Sequence, residues 1–408
     1  MPSAYLTDSL PGTGGALRER LEDFVVAEEL VRPPRGRGAH RWILVEKRGI
    51  STPEFLRRIG AALGLPTARL GAAGQKDARA VARQWVSAPG SAAIETLAAR
   101  LSDATVLEIA RDEEPLAPRL LARNRFAIVV RGLADPAEAA RRAQAVLDVL
   151  AARGVPSFYG PQRFGLRGES AEVGRLLLLG RAEEALALIL GRPGPGEDDP
   201  RARAFREAFE RGELAEALRL VPGALRVERR LLERLAAGAT AATAIAALPR
   251  PQARFYLTAY QSLLFNRVLA ARLPAIDVPW AGDLLAEEGK GERWTACRDP
   301  EADRARVRAF AASPTGPLAG TRAPLAAGEA GRIEREVLAA SGADPRALPD
   351  PPGLPLHGTR KSLRFRAADL RVRADPANGA LELGFALPPG CFATALLAEV
   401  TKGFAPPR

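Results

Sequence analysis

The chain has 408 residues, 47% of them apolar and 26% charged, a balance typical of a folded protein and long enough for two or three domains. The formal net charge of +11 comes almost entirely from arginine and favours a polyanionic partner, although a GC-rich coding sequence also raises arginine. With only two histidines, and two cysteines without Cys-x-x-Cys spacing, the chain excludes a disulfide framework, a zinc knuckle and a histidine-rich metal site. We therefore expect any catalysis to depend on carboxylates, without a metal or cofactor.

The N-terminal segment "MPSAYLTDSLPGTGG" lacks the basic and apolar regions of a signal peptide. No run approaches 18 apolar residues, the length of a membrane-spanning helix. From these two features we expect a cytoplasmic protein without a membrane partner.

Strands and helices alternate irregularly in the first part of the chain. Strands are predicted at 22–29, 40–47, 80–87, 105–110 and 125–132, the first two joined by a turn, as in a hairpin. Helices are predicted at 51–64, 91–101 and 135–154; in the first, Phe55, Ile59 and Leu63 form an apolar stripe between an N-cap at Ser51 or Thr52 and a stop at Gly64. Because evenly repeated βαβ units are missing, the order predicts an α+β fold with a mostly antiparallel sheet.

The middle of the chain is predicted to be largely helical. Four helical segments follow one another at 170–180, 181–191, 202–212 and 214–220. The segment 312–356 is rich in Gly, Pro and Ala and predicts a linker or a domain margin. Strand patterns return at 361–375 and 380–387, before a short helix at 392–403. Strands at both ends with a helical middle predict one sheet domain interrupted by an insertion.

The segment "LGAAGQKDARAVARQWVS" (70–87) contains the first candidate site. The chain has only five lysines, at positions 47, 76, 290, 361 and 402. Because its usual cation is arginine, the lysine at position 76 is an exception. Gly74 allows a tight turn that presents Lys76 and Asp77, and an aspartate flanked by cations suits a carboxylate nucleophile. On spacing alone, a solvated turn is the simpler interpretation.

Aromatic residues form the second group of candidates. "FYGPQRFG" (158–165) combines three aromatics with a glutamine and an arginine, as in proteins that hold unstacked bases, but also fits a buried turn. Asn124 and Phe126 lie on the same face of a predicted strand. Taken singly, Phe24, Phe126 and Phe392 fit a hydrophobic core as well as a ligand platform.

Together these motifs resemble the TruD family of tRNA pseudouridine synthases. The resemblance runs in order through "EDFVVAE" (22–28), "GAHRWILVEKRGISTPEFLRRIGAALG" (38–64), "AAGQKDARAVARQWVS" (72–87), "NRF" (124–126), "VPSFYGPQRFG" (155–165), "AYQSLLFNRVL" (259–269), "TGPLAGTR" (315–322) and "LPPGCFATALLAEV" (387–400). Departures from the family pattern are Arg18 for Lys, Arg123 for Gly, Ser157 for Asn and Ala398 for Arg. None of them removes the aspartate, and Arg123 makes the placement of Asn124 the least secure.

The resemblance implies a fold, an activity and a set of site residues. The fold is a pseudouridine synthase catalytic domain (1–156 and 358–408) interrupted by a TRUD insertion domain (157–357). The activity is isomerisation of uridine 13 in the D arm of tRNA, with Asp77 as the catalytic residue. The substrate-binding residues are Phe24, Asn124, Phe392, Phe126, Lys76 and Glu28.

Pseudouridine formation detaches uracil from C1′ of the ribose, rotates it and rejoins it through C5. A uridine within folded RNA must first be flipped out, and aromatic surfaces offset the lost stacking. Nothing in this chemistry requires a cofactor, and nothing in the sequence requires more than a monomer. A non-catalytic RNA-binding or RNA-chaperone protein with the same fold is the alternative.

Overall fold

The structure, a computed structural model, describes residues 5–90, 94, 97, 101, 104–194, 197–288 and 293–403. Its strands are β1 (Ala16–Leu17), β2 (Phe24–Leu30), β3 (His40–Arg48), β4 (Gly71–Ala72), β5 (Val81–Pro89), β6 (Ala104–Asp112), β7 (Leu121–Arg131), β8 (Val155–Pro156), β9 (Leu284–Glu287), β10 (Trp294–Ala296), β11 (Ala312–Leu318), β12 (Thr359–Ser362), β13 (Arg364–Phe365), β14 (Ala368–Asp375) and β15 (Ala380–Leu387).

Helices account for most of the middle of the chain. They are α1 (Thr52–Leu63), α2 (Pro136–Arg153), α3 (Ser170–Leu178), α4 (Ala182–Leu190), α5 (Pro200–Glu210), α6 (Leu214–Leu220), α7 (Arg226–Ala236), α8 (Ala241–Ala246), α9 (Arg250–Arg272), α10 (Pro300–Arg308), α11 (Gly328–Ala340) and α12 (Ala393–Thr401). In the described part of the chain, no helix is both long and apolar enough to cross a membrane.

The chain divides into two compact units. One contains Thr7–Val155 and the segment that begins at Phe365, and we call it the sheet unit; the other contains Pro156–Arg364, and we call it the inserted unit. The inserted unit holds α3 to α11 and a four-stranded antiparallel sheet in the order β10-β9-β11-β12. The sequence patterns predict helices in this unit but none of β9, β10 and β11.

The sheet unit is built on one large, mostly antiparallel sheet in the order β14-β15-β7-β2-β5-β3-β6, with β1 paired to β7 and β4 to β5. This arrangement confirms the predicted α+β fold. The expected hairpin between β2 and β3 is wrong, because β5 lies between them, parallel to β2 and antiparallel to β3. The later strand β5 thereby carries the loop before it to the middle of the sheet.

Helix α1 forms where its sequence signals predict. The Ser51 side chain accepts a hydrogen bond from the Glu54 amide, and Gly64 ends the helix with φ +66°. Phe55 and Ile59 are buried in a cluster with side chains of β3 and β5, and each contributes about 1.5–3 kcal/mol by leaving water. This packing fixes the start of α1 beside the loop that precedes β5.

Two further expectations concern other segments. The predicted linker at 312–356 is wrong, because β11 and α11 occupy much of it; the prolines of β11 do not prevent pairing with β9 and β12. The predicted helix at 91–101 falls mostly outside the described residues.

Candidate active site

The candidate nucleophile, Asp77, lies in the loop between β4 and β5. Its side chain is 47% exposed, and Oδ2 accepts a hydrogen bond from Nη2 of Arg18 at 3.2 Å. An ion pair this open to water contributes at most about 1 kcal/mol. The carboxylate is therefore held by a contact that an incoming ligand can replace.

Arg18 connects Asp77 to the first candidate aromatic residue. Its backbone adopts a left-handed conformation, φ +62°, which is uncommon for a residue with a side chain. Its guanidinium carbon lies 4.1 Å from the centre of the Phe24 ring, so the cation stacks on the ring while it pairs with Asp77. Sequence reasoning noted Arg18 only as a departure from the family pattern and missed this position in the site.

Lys76, the neighbour of Asp77, is buried. Its Nζ lies 2.5 Å from Oε1 of Glu28, and both side chains are almost inaccessible to water. Glu28 Oε2 also accepts a hydrogen bond from the Trp85 amide at 3.0 Å. Burial raises the pKa of the Glu28 carboxyl, against the opposing effects of Lys76, the Trp85 amide and Gln84.

A second set of hydrogen bonds fixes the backbone of the same loop. The Lys76 amide donates to Thr52 Oγ1 at 2.8 Å, and the Thr52 amide donates to the Lys76 carbonyl at 3.3 Å. Gln84 accepts from Thr52 Oγ1 at 2.8 Å and donates from Nε2 to the Gly74 carbonyl at 2.6 Å. The start of α1 and strand β5 therefore hold both sides of the loop.

Lys47 is a further buried cation in this region. It is 0% exposed, and its Nζ donates to the Ile50 carbonyl at 2.5 Å. Burial and the Lys76 charge lower the pKa of Lys47 to about 8, although the charges of Asp77 and Glu28 act in the other direction. Sequence reasoning missed Lys47, but its place on the inward phase of β3, after buried Val45, was a usable signal.

Asn124 lies across from Glu28 in the pairing of β2 with β7. Because cross-strand partners share a face, its side chain is on the Glu28 face of the sheet. Its Oδ1 is buried, and no described residue donates a hydrogen bond to it. An unmet buried acceptor costs about 1–3 kcal/mol, which a ligand donor can recover.

The three candidate phenylalanines have different surroundings. Phe24 and Phe126 are buried and meet edge to face with centroids 6.0 Å apart, and Phe126 also stacks on Phe385 at 5.2 Å. Phe392 precedes α12 and is 43% exposed. The structure thus brings Phe24 and Phe126 together, with Arg18 on the Phe24 ring, and places Phe392 in the same unit.

The "FYGPQRFG" motif lies in the inserted unit and packs there. Phe158 and Phe164 are buried, and Arg163 Nε donates to Ser262 Oγ at 2.9 Å. The guanidinium of Arg163 also lies 5.6 Å from the centre of the Tyr159 ring. These contacts match the interpretation of the motif as a packed aromatic turn.

Across the described ranges, no three His, Cys, Asp or Glu side chains are clustered so that they could hold a metal ion.

Comparisons with known proteins agree over nearly the whole chain. The family model for tRNA pseudouridine synthase D (TruD) matches residues 2–400. A tRNA pseudouridine synthase D of Geobacter metallireducens is 42% identical over 403 residues, 98% of each chain, and one of Geobacter sulfurreducens is 40% identical over 98% of this chain and 97% of that one. A crystal structure assigned as tRNA pseudouridine synthase D (TruD) of Methanosarcina mazei is similar with a TM-score of 0.80 and 27% identity, over 98% of this chain and 95% of that one.

Proposed function

We propose, since the chain belongs to the tRNA pseudouridine synthase D (TruD) family, that it isomerises a uridine of tRNA to pseudouridine, with Asp77 as the catalytic carboxylate. In this reaction the bond between N1 and C1′ breaks and a bond between C5 and C1′ forms. N1 gains a proton and C5 loses one, so no electrons are exchanged. Asp77 has two roles open to it, attack on the ribose or removal of a ribose proton.

The observation that supports this proposal best is the buried Oδ1 of Asn124, which accepts no hydrogen bond from a described residue. A uracil ring offers a matching donor at N3. Asn124 makes no described hydrogen bond to Asp77, so a role in holding the base fits better than a role in orienting the aspartate.

Arg18 and the aromatic residues support a path for base entry. The Arg18 guanidinium covers the face of Phe24 and pairs with Asp77. A flipped uridine that displaces Arg18 would contact both the Phe24 ring and the Asp77 carboxylate. Phe392 offers an exposed ring for stacking, while Phe126, already stacked on Phe385, walls the site.

Lys76 and Glu28 have a structural role in the proposed site. An ammonium that binds a phosphate must reach solvent, whereas Lys76 is buried against Glu28. In our proposal this pair holds the loop and does not contact the RNA backbone.

We further propose that the sheet unit is the catalytic domain and the inserted unit the TRUD insertion domain. The target is uridine 13 of the D arm, as the family resemblance implies. The protein works as a monomer in the cytoplasm, without a cofactor. Mapping of pseudouridine in tRNA from cells with and without the protein, by mass spectrometry, tests both the activity and the position.

Replacement of Asp77 separates the enzyme from the alternative, a non-catalytic RNA-binding or RNA-chaperone protein. Asp77→Asn and Asp77→Ala should abolish pseudouridine formation and leave tRNA affinity within a few fold. The matched control is Asp148→Asn, which changes an exposed aspartate of α2 in the same unit and should leave turnover intact. If the wild-type protein forms no pseudouridine in any tRNA, the enzyme proposal fails.

A further inference from the structure

Helix α7 of the inserted unit carries three arginines on its exposed face. Arg226, Arg230 and Arg234 follow one another at four-residue spacing, which places them along one side of the helix. All three are exposed, and none makes an ion pair or a side-chain hydrogen bond with a described residue. Glu233 is the carboxylate on this face, so the face keeps a net positive charge.

Some exposed arginines on other helices of the same unit form ion pairs within their own helix. Arg219 of α6 pairs with Glu216 at 2.6 Å, and Arg304 of α10 pairs with Glu301 at 2.5 Å. Arg332 of α11 pairs with Glu329 at 2.5 Å and also contacts a second glutamate one turn later. On α7 the corresponding charges are left available to a partner.

The packing of α7 indicates what kind of partner this is. Leu231 and Leu232 are fully buried in the helical core of the unit, so the helix has no free apolar side to insert into a lipid surface. Four residues of helix rise about 6 Å, so the three guanidinium groups form a row that spans about 12 Å. Successive cations at this spacing match the row of phosphates along a nucleic acid strand, which guanidinium groups bind well.

We propose that Arg226, Arg230 and Arg234 of α7 bind the phosphate backbone of the substrate RNA. This inference rests on the proposed function for the identity of the RNA, and it adds a contact surface outside the sheet unit that carries Asp77. The contacts position the RNA and do not read its sequence.

The test compares two triple variants with equal loss of charge. The first is Arg226→Gln/Arg230→Gln/Arg234→Gln; the control is Arg219→Gln/Arg304→Gln/Arg332→Gln, which removes three paired arginines from the same unit. The probe is an unmodified tRNA transcript, and its Kd is measured from low to high salt. Thermal unfolding of each variant shows whether the unit remains folded, and Arg226→Lys/Arg230→Lys/Arg234→Lys restores the charge if the Gln variant unfolds.

The α7 variant should bind about 10- to 100-fold more weakly at moderate salt, and its plot of log Kd against log salt should lose about two to three units of slope, because each phosphate contact releases about one counterion. The Lys variant should keep most of the slope, since it keeps the charges. Pseudouridine formation by the Gln variant should show a raised KM and an unchanged kcat, because backbone contacts act equally before and during the reaction.

Equal Kd and slope in the α7 variant and its control would overturn the proposal. The proposal would also be overturned if the α7 Gln variant lost binding to anionic vesicles but kept its binding to tRNA, because this result would assign the surface to a membrane. If wild type binds tRNA with the expected α7 dependence but forms no pseudouridine, the proposed function fails while this surface stands.

Discussion

The side chains of Lys76 and Asp77 leave the same loop toward opposite environments. The Lys76 ammonium is buried 2.5 Å from Glu28, whereas the Asp77 carboxylate is half exposed beside Arg18. Between these two side chains, the backbone of Lys76 is held by Thr52: the Lys76 amide donates a hydrogen bond to the Thr52 hydroxyl, and the Lys76 carbonyl accepts one from the Thr52 amide. Lys76 is thus an anchor whose position determines where Asp77 emerges.

Exchange of this anchor for arginine should impair catalysis. The Nζ atom of Lys76 lies in a buried space bounded by Glu28 and Gly74, which suits a compact ammonium and not a planar guanidinium. We expect Lys76→Arg to lower kcat by at least about tenfold, the loss typical of a misplaced catalytic group. The reciprocal exchange Arg79→Lys, at an exposed cation of the same loop, is the control; equal turnover by both variants would make the lysine incidental.

A methyl group at position 74 should disturb the same ion pair. A Cβ built on Gly74 would lie 3.0 Å from Lys76 Nζ and 3.2 Å from Glu28 Oε1. Gly74→Ala should therefore lower kcat and reduce stability by about 1–3 kcal/mol, the usual cost of overpacking. Gly132→Ala is unsuitable as a control because of its φ of +71°, whereas Gly223 has open space around it, so Gly223→Ala should change neither quantity. Single-turnover kinetics and urea unfolding measure the two effects. An unchanged rate in Gly74→Ala would refute the role of Lys76 as the anchor that positions Asp77.

Asn124→Ala should separate binding from stability. Because Oδ1 of Asn124 accepts no hydrogen bond within the described structure, its removal should leave the free energy of unfolding unchanged or raise it by up to about 1 kcal/mol. Loss of the proposed contact to uracil N3 should at the same time lower kcat/KM by about 10- to 100-fold. Asn124→Asp keeps the acceptor and should retain more activity. A variant that is destabilised yet fully active would point to a purely structural asparagine.

The low pKa of Lys47 can be observed directly. With only five lysines in the chain, spectra of the protein with 13C-labelled lysine side chains should resolve each titration, and Lys47→Arg assigns one of them. We expect the Lys47 resonance to titrate near pH 8, since burial and Lys76 disfavour its charge. A midpoint above pH 10 would show that the ammonium is solvated.

The same shift predicts how stability depends on pH. Below pH 8 Lys47 is protonated in both states, and the folded protein bears the cost of the buried charge. Between pH 8 and the ordinary value of 10.5 the unfolded state binds more protons, so stability rises with pH, by about 3 kcal/mol in total. Lys47→Met should lack this rise, and urea unfolding of the sheet unit at several pH values, followed through Trp42 and Trp85, measures the difference.

Local signals in the sequence predicted several elements well. Helix α1 follows from a capping serine, an apolar stripe and a terminal glycine, all close neighbours in the chain. The Gly- and Pro-rich segment at 312–356 misled, because a strand such as β11 depends on the partners on either side more than on its own propensity. The long helix α9 was seen only as a motif, since it is buried around most of its circumference and shows little periodicity.

For the candidate site, the sequence by itself determined the residue types: a glycine-led loop with a lysine and an aspartate, phenylalanines, an asparagine and few histidines or cysteines. Only the tertiary structure decided their environments. The Lys76–Glu28 pair joins residues 48 positions apart and the Arg18–Asp77 pair residues 59 positions apart. Both depend on β5 lying between β2 and β3, and strand order is set by the packing of the whole sheet, which short-range patterns do not encode.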